Sequence, residues 1–325
     1  MNILMLAPLK KENFEKIENT FPQYHFIYST ASDVTQDMID DCDIIVGNPG
    51  NQVDFNRANI KAIFLNSAGS DAYIEEGKLH KNTILTNASG TYGNAIAEHT
   101  LGMILTLNKN IHQYVRHMKD GLWQPLQTGK ELYKSTVLIV GLGDLGYEIA
   151  KRLKSFHCKV IGVKRNMCAL PQYIDELYTI ERLDDLLPLA DFVILTLPQT
   201  PQTIHLMDKK RLMKMKKDAV LVNVGRGSAI CTHDLIEVLK QDYLYGVALD
   251  VVEEEPLSID HELWTFDNVI ITPHSSGGYA WESTREYFTN LVIRNIKHYI
   301  NNEVLENEVD FQTGYRKCVV LKGDE

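Results

Sequence analysis

The sequence predicts an α/β protein built as two doubly wound parallel-sheet domains. Three observations support this fold class. Residues 1 to about 100 alternate short apolar segments with polar segments of helical periodicity, a pattern typical of a parallel sheet covered by helices. The segment 136–146 joins an apolar strand to three spaced glycines and a helix. Further strand–loop units follow as far as residue 274, and five or more such units make a second doubly wound sheet.

In the first domain, five apolar runs are predicted to be strands and two amphipathic runs to be helices. Two of the strands lead into loops of small residues, Asn66–Ser70 and Ala88–Gly93. Backbone N–H groups in such a loop can face a carboxylate, although a simple strand-to-helix turn has the same composition. The strands are expected at Ile3–Leu6, Phe26–Tyr28, Ile44–Val46, Ile63–Leu65 and Ile84–Leu85, and the helices at Lys10–Thr20 and Thr35–Asp41.

One long helix is predicted from Asn94 to about Lys119, because apolar residues recur on one side of it. A helix of that length can bridge two domains. The tail Asn301–Glu325 is polar and is expected to cross the surface or fray, without chemistry of its own. The later strands are expected at Val137–Val140, Lys159–Val163, Phe192–Leu197, Val220–Val224, Val247–Val252 and Val269–Thr272, and the later helices at Tyr147–Phe156, Leu183–Ala190, Lys209–Met215, Thr232–Lys240 and Ala280–Tyr299.

The stretch Thr136–Gly146 indicates a dinucleotide-binding site. Gly141, Gly143 and Gly146 have the G-x-G-x-x-G spacing. In such a loop the first glycine permits the tight turn, the second lets the backbone approach a pyrophosphate, and the third lets the helix pack on the strand. Three spaced glycines also occur in ordinary turns. Here a strand precedes them, a helix follows, and Lys159–Val163 supplies a second strand, which favours the dinucleotide site.

Composition and charge narrow the class of protein. The 325 residues are enough for two domains with substantial cores. The formal charge of −10 argues against nucleic acid as a main partner, because phosphate backbones attract basic surfaces. No apolar run approaches the roughly 20 residues that span a bilayer, and the apolar start Met1–Leu6 is short and lacks a basic leader. The odd number of scattered cysteines favours reduced thiols in the cytoplasm over disulfides or a metal site.

Four polar or charged residues stand at the predicted carboxyl ends of three strands of the second domain. They are Arg226, Asp250, Glu255 and His274. Ligands of a doubly wound sheet bind beyond these ends, so position distinguishes the four from the other charged residues. Singly, Arg226 could cap a helix, Glu255 could be a solvated acid, and His274 could be a structural histidine.

Together, the motifs resemble those of the D-isomer-specific 2-hydroxyacid dehydrogenase family. The resemblance covers nearly the whole chain, and glyoxylate/hydroxypyruvate reductase-type members are the most similar in appearance and length. It rests on several motifs in the family's order, namely Asn66–Asp71, Ala97–Thr100, the glycine loop, Leu197–Thr203, Asn223–Gly227, Asp250–Pro256 and Thr272–Gly278.

The resemblance implies an enzyme that transfers a hydride between a nicotinamide cofactor and a 2-keto or 2-hydroxy acid. Such a reaction needs a proton for the developing alkoxide, and a histidine suits the donor. By similarity, His274 is this donor, Glu255 orients its ring and favours the imidazolium, and Arg226 binds the substrate carboxylate and polarises the keto oxygen. Glu253 and Glu254 are expected to be surface acids, because the family's glutamate directly precedes the proline.

The resemblance also assigns residues around these three. The backbone N–H groups of Ser67, Ala68, Gly69 and Ser70 would cradle the substrate carboxylate, and Tyr92, Tyr279 and Trp281 are expected pocket walls, unless these aromatic residues only pack. The cofactor groove is expected at Gly141, Gly143, Asp144, Leu145, Gly146, Lys164, Arg165, Thr196, Leu197, Pro198, Val224, Gly225, Asp250 and Gly277.

The cofactor is expected to be NADP, with NAD as the alternative. NAD sites place an acidic residue about 20 residues past the glycines, on the ribose hydroxyls. This chain has Lys164, Arg165 and Asn166 at the end of the second strand, and two cations there suit a 2′-phosphate. If the two cations merely lie on the sheet rim, NAD would bind well enough.

The expected organisation is a Rossmann-type nucleotide domain, residues 101–286, inserted into a flavodoxin-like substrate domain formed by residues 1–100 and 287–325. The leading hypothesis is a 2-keto acid reductase. The family implies a homodimer built through the nucleotide domain, with the helix near Asn94–Lys119 as an arm.

Other functions share much of this pattern. Corepressors that resemble the family keep the fold and sense nicotinamide, but the complete set of Arg226, Glu255 and His274 and the lack of long disordered extensions speak against a corepressor. A phosphite-type oxidoreductase would share all three residues, and only substrate assays distinguish it. A phosphoglycerate dehydrogenase is less expected, because the extra regulatory domain of many such enzymes is missing. Formate dehydrogenases lack the Glu–His pairing.

Overall fold

The computed structural model describes residues 1–56, 60–75, 77–80, 82–312 and 316–317. The chain divides into two compact units, unit 1 formed by Met1–Tyr92 with Gly278–Glu325, and unit 2 formed by Gly93–Gly277. The boundaries expected at residues 101 and 286 lie inside two helices, Gly93–Asn108 and Glu282–Ile300. Each of these helices packs as a whole within one unit. Within the described residues, no helix has the length and apolar character needed to cross a membrane.

Unit 1 contains a five-stranded parallel sheet with the order β2-β1-β3-β4-β5, which is the flavodoxin-like order. The predicted strands are present, and no end is shifted by more than one residue. Central strands of a parallel sheet are covered on both faces, and accordingly Ile3, Leu4, Ile44 and Ile45 are fully buried. The strands are β1 (Asn2–Met5), β2 (His25–Tyr28), β3 (Ile44–Val46), β4 (Ala62–Phe64) and β5 (Ile84–Thr86), and the helices between them are α1 (Lys11–Thr20) and α2 (Gln36–Asp40).

Unit 2 contains a seven-stranded parallel sheet with the order β12-β11-β10-β9-β6-β7-β8. The stretch from β8 to β11 in this order is the Rossmann arrangement, extended by one strand. Two hydrophobic clusters form its core: Leu138 and Val140 of β6 belong to one, Val137 and Ile139 to the other. The strands are β6 (Thr136–Val140), β7 (Lys159–Lys164), β8 (Glu176–Thr179), β9 (Phe192–Leu195), β10 (Val220–Asn223), β11 (Gly246–Leu249) and β12 (Val269–Ile271). The helices are α3 (Gly93–Asn108), α4 (Ile111–Lys119), α5 (Asp144–Leu153), α6 (Leu183–Leu186), α7 (Lys209–Leu212) and α8 (Thr232–Leu239).

The prediction of one long helix over Asn94–Lys119 is wrong, because α3 and α4 are separate helices. Asn110 between them adopts a left-handed backbone conformation with a φ of 55°. Asparagine is one of the few non-glycine residues that visit this conformation routinely. None of the residues of α4 is buried. The exposed apolar residues of α4 and the segment after it are Ile111, Tyr114, Val115, Met118, Leu122 and Trp123.

The last described part of the chain completes unit 1, contrary to the prediction of a surface tail. Helix α9 (Glu282–Ile300) packs on α1, and Glu308 then forms an antiparallel bridge with β5. Leu305 and Val309 are buried. Two isolated apolar residues in a polar stretch make no periodic pattern, so the sequence does not predict this packing. The predicted tail beyond Lys317 lies outside the described residues.

Candidate active site

The predicted site residues of unit 2 follow the carboxyl ends of its parallel strands, which lie at one edge of the sheet. Arg226, Glu255 and His274 come after β10, β11 and β12, which are three adjacent strands. The glycine loop follows β6, and Lys164 ends β7. The residues predicted to be catalytic therefore follow one half of the sheet, whereas the glycine loop and Lys164 belong to the other half. The strand order reverses between β9 and β6, where doubly wound folds bind their ligands.

The glycine loop has the geometry that a pyrophosphate needs. Gly141 has a φ of 105°, and a Cβ there would lie 3.0 Å from the backbone of Thr196. A Cβ at Gly146 would lie 2.7 Å from the carbonyl oxygen of Gly141, whereas a Cβ at Gly143 would meet no heavy atom within 4 Å. Gly143 is the N-cap of α5, whose first N–H groups have no intrahelical acceptor and favour an anion. These residues fit the phosphates of a dinucleotide.

The loops after β9 and β10 pack closely on the glycine loop. The Thr196 hydroxyl donates a hydrogen bond to the carbonyl oxygen of Gly141. A Cβ at Gly225 would lie 2.6 Å from the backbone N and O of Leu197, and Val224 is buried. The structure thus brings these predicted cofactor residues together, and Pro198 directly follows Leu197 in the chain.

Arg226 is held by a residue to which sequence reasoning gives no role. The Asn223 side chain is fully buried; its Nδ2 donates to the carbonyl oxygen of Arg226 at 2.9 Å, and its Oδ1 accepts from the N–H of Gly225 at 3.1 Å. The half-buried guanidinium of Arg226 donates to the carbonyl oxygen of Gly225 at 2.9 Å. An amide at the end of an otherwise apolar strand is the sequence signal that points to Asn223.

His274 and Glu255 form a direct pair. The His274 Nδ1 lies 2.8 Å from the Glu255 Oε2, and the other carboxylate oxygen accepts from the N–H of Val252 at 3.1 Å. The two side chains are 52% and 36% exposed, so both remain accessible. With Nδ1 bound to the carboxylate, Nε2 is the ring nitrogen that can hold a proton towards a ligand.

Asp250 is almost completely buried, at 1% exposure, and organises the loop that carries His274. Its carboxylate accepts from the Thr272 hydroxyl at 2.6 Å, from the N–H of Ser275 at 3.0 Å and from the N–H and hydroxyl of Ser276. Asp250 is predicted to line the cofactor groove. In the structure its carboxylate holds the loop after β12, because a buried carboxylate needs several donors.

The two basic residues predicted to bind a 2′-phosphate, Lys164 and Arg165, lie where β7 ends. Lys164 is half-buried, and its Nζ donates to the Cys168 Sγ at 3.4 Å. Arg165 is exposed. Since β7 pairs with β6, both cations follow the strand next to the one that carries the glycine loop.

The small-residue loop of unit 1 is braced by two tyrosines. The hydroxyls of Tyr92 and Tyr279 both donate to the carbonyl oxygen of Asn66, at 2.9 Å for Tyr279. Burial raises the pKa of Tyr92 to about 12, so its phenol stays a neutral donor at physiological pH. Within the described part of the chain, the N–H groups of Ser67, Ala68 and Gly69 donate to no protein acceptor. The Tyr92 hydroxyl, assigned to the substrate pocket, is thus bonded to the loop itself.

Comparison with known proteins identifies the family. The family model described as "D-isomer specific 2-hydroxyacid dehydrogenase, NAD binding domain" matches residues 101–276. The chain is 34% identical over 253 residues to the glyoxylate reductase of Thermofilum pendens, covering 76% of this chain and 74% of that protein. It is 32% identical over 318 residues to the D-3-phosphoglycerate dehydrogenase of Methanocaldococcus jannaschii, covering 95% of this chain but 59% of that protein.

A solved structure supports the same assignment. The NADPH-dependent glyoxylate/hydroxypyruvate reductase from Sinorhizobium meliloti, in complex with NADP and sulfate, matches with a TM-score of 0.80 at 27% identity, covering 97% of this chain and 99% of that one. The chain belongs to the D-isomer specific 2-hydroxyacid dehydrogenase family. It is a nicotinamide-dependent dehydrogenase, and the predicted fold class and family are confirmed.

Proposed function

We propose that the chain uses NADPH to reduce a small 2-keto acid, of the glyoxylate or hydroxypyruvate kind, to the D-2-hydroxy acid. The observation that carries this proposal is the 2.8 Å contact between His274, which follows β12, and Glu255, which follows β11, the strand next to the one that leads to Arg226. A relative named glyoxylate reductase and a solved glyoxylate/hydroxypyruvate reductase support the substrate class.

In this proposal His274 holds the proton for the developing alkoxide at Nε2. Glu255 accepts the hydrogen bond of Nδ1, which fixes the ring orientation and compensates the positive charge of the imidazolium. Arg226 presents a planar fork of donors that matches a carboxylate and can also polarise a keto oxygen. Asn223 restricts the backbone of Arg226 and therefore the reach of its side chain.

Other residues bind the cofactor and the second substrate. When bound, the nicotinamide supplies the hydride. The backbone around Gly143 and the N-terminus of α5 would hold its pyrophosphate, and Lys164 and Arg165 would hold a 2′-phosphate. The free N–H groups of Ser67, Ala68 and Gly69 support their assignment to the substrate carboxylate.

The test is the loss of absorbance at the reduced-nicotinamide band. NADPH or NADH is offered with glyoxylate, hydroxypyruvate, 3-phosphohydroxypyruvate, pyruvate and branched 2-keto acids, and phosphite is offered with the oxidised cofactors. We expect rapid NADPH oxidation with glyoxylate or hydroxypyruvate, and a D-configured product for hydroxypyruvate. Oxidation of phosphite without reduction of any keto acid would contradict the proposal and identify a phosphite-type oxidoreductase. Cofactor binding without turnover of any of these substrates would favour a nicotinamide-sensing protein.

The Arg165→Ala change is expected to weaken NADPH binding about tenfold and NADH binding far less, because only NADPH carries the 2′-phosphate that pairs with the guanidinium. Fluorescence titration with both cofactors measures this difference. The control is Arg182→Ala, which removes an exposed arginine paired with Asp185 in the same unit. Equal losses for both cofactors would contradict the NADP assignment.

We also propose that the protein is a homodimer in which α4 and the following segment form part of the interface. The apolar residues of this region are exposed: Met118 is 73% exposed, and Trp123 is fully exposed. Contiguous exposed apolar surface is typical of protein–protein interfaces. The cytoplasmic location and the absence of nucleic-acid and membrane partners stay predictions from composition.

The double change Val115→Glu with Met118→Glu is expected to convert the dimer into a monomer at micromolar concentration, because it buries two carboxylates in an apolar interface. Sedimentation velocity measures the mass. The control is Ile259→Glu, at an isolated residue that is 90% exposed in the same unit. A monomeric wild-type protein, or equal dissociation of the control, would refute this interface.

A further inference from the structure

A chain of hydrogen bonds connects α3 to the loop that carries His274. The His99 Nε2 on α3 lies 2.9 Å from the Thr272 Oγ1, and this hydroxyl lies 2.6 Å from the Asp250 Oδ1. His99 Nε2 is also 3.7 Å from the same carboxylate oxygen. The three residues belong to unit 2 and come from separate elements of it.

The chemistry of the three groups fixes the direction of these bonds. The Asp250 carboxylate accepts from the hydroxyls and N–H groups around it, so the single hydroxyl proton of Thr272 is donated to Asp250. The Thr272 oxygen then has only acceptor capacity left, and the His99 Nε2 must carry a proton to bond to it. The ring of His99, 23% exposed, is therefore a donor at the outer end of the chain.

Asp250, at the inner end of this series of hydrogen bonds, holds the backbone conformation of the loop that carries His274. Asp250 accepts from Thr272 before His274 and from Ser275 and Ser276 after it, so the loop wraps around one carboxylate. His274 itself has a φ of 50°, and its N–H donates to the carbonyl oxygen of Asp250 at 2.8 Å. A non-glycine residue keeps this left-handed conformation only where its surroundings hold it.

We infer that His99 is a positioning residue for proton transfer: through Thr272 and Asp250 it holds the loop in the conformation that presents the His274 ring. This inference rests on the proposed role of His274. The sequence places His99 in the Ala97–Thr100 motif but assigns it no role. Among the described residues the side chain of His99 bonds to Thr272 and that of His274 to Glu255, so His99 acts through the loop.

Four variants test the inference, namely His99→Ala, His99→Gln, Thr272→Val and the double variant His99→Ala with Thr272→Val. The control is His233→Ala, which removes a histidine that is 81% exposed on α8. Hydrogen exchange of the peptide 272–278 is measured without substrate, together with kcat, the KM for keto acid and NADPH binding. Gln is included because its side-chain amide also supplies a terminal N–H donor.

We expect His99→Ala to speed exchange in the peptide 272–278 and to lower kcat about tenfold, as small displacements of a catalytic group do, with NADPH binding unchanged. His99→Gln should recover most of both effects, and the control should match the wild type. Because His99 acts through Thr272, the double variant should be no worse than Thr272→Val alone.

Wild-type exchange and kcat in His99→Ala would overturn the inference, as would fully additive losses in the double variant. The exchange experiment needs no turnover. If the wild type reduces no keto acid, the proposed function fails, while faster exchange in His99→Ala still confirms the link from His99 to the loop.

Discussion

Replacement of His274 by asparagine is expected to lower kcat about a thousandfold while leaving NADPH affinity unchanged, because a positioned acid contributes 10²- to 10⁴-fold to proton transfer. Asparagine is the informative substitute. It tolerates the left-handed conformation that His274 adopts, so the loop keeps its shape and only the acid is lost. Steady-state oxidation of NADPH with the preferred keto acid, and fluorescence titration of NADPH, measure the two quantities.

His233→Asn is the matched control, because it removes a histidine that is 81% exposed and whose carboxylate partner, Glu237, lies on the same helix. It should retain wild-type kcat. Turnover that survives in His274→Asn would assign the proton to another group. Loss of NADPH binding in the same variant would place His274 in the cofactor site instead.

Two alanine substitutions in the glycine loop are also expected to have large effects. One should lower the stability of the fold, and the other should weaken the binding of NADPH. Gly146→Ala brings a methyl group 2.7 Å from the carbonyl oxygen of Gly141 and 3.0 Å from the fully buried Ile139. Neither neighbour can retreat, so the free energy of unfolding should fall by about 2 kcal/mol, despite the better helix propensity of alanine.

Gly143→Ala should have the opposite profile. The added methyl group meets no protein atom within 4 Å, so the free energy of unfolding should stay within about 0.5 kcal/mol of the wild type. The methyl group projects into the space through which backbone approaches a pyrophosphate, and NADPH affinity should fall at least about tenfold. Urea unfolding and NADPH titration of both variants make the comparison. Wild-type affinity in Gly143→Ala would show that the dinucleotide binds elsewhere.

The parts of the fold that the sequence predicts well are those governed by local apolar runs and by topology. The run Ile44–Val46 is a fully buried strand and has the predicted bounds. The sequence alone predicts that three residues lie near one another, namely Arg226, Glu255 and His274. Residues that follow neighbouring parallel strands necessarily share one edge of the sheet.

The features that escaped prediction depend on context. The edge strand β8 has the sequence Glu-Leu-Tyr-Thr with every residue half-buried, so it lacks an apolar run. The interruption at Asn110 is a single backbone conformation inside a continuous helical pattern. His99 and Asn223 look like ordinary polar residues, and the partner of His99 lies 173 residues away in the sequence. Such contacts exist only after the sheet and its helices have assembled.

Unit 1 is formed by both ends of the chain, and this has a consequence for biosynthesis. Phe288 and Ile296 of α9 belong to the same buried cluster as Ile3 and Ile17. On the ribosome, all of Gly93–Gly277 emerges before α9, so unit 2 can complete its sheet while the apolar face prepared for α9 is still uncovered. Closing contacts over such long separations is slow. The segment that is synthesised first is thus the last to reach its finished structure.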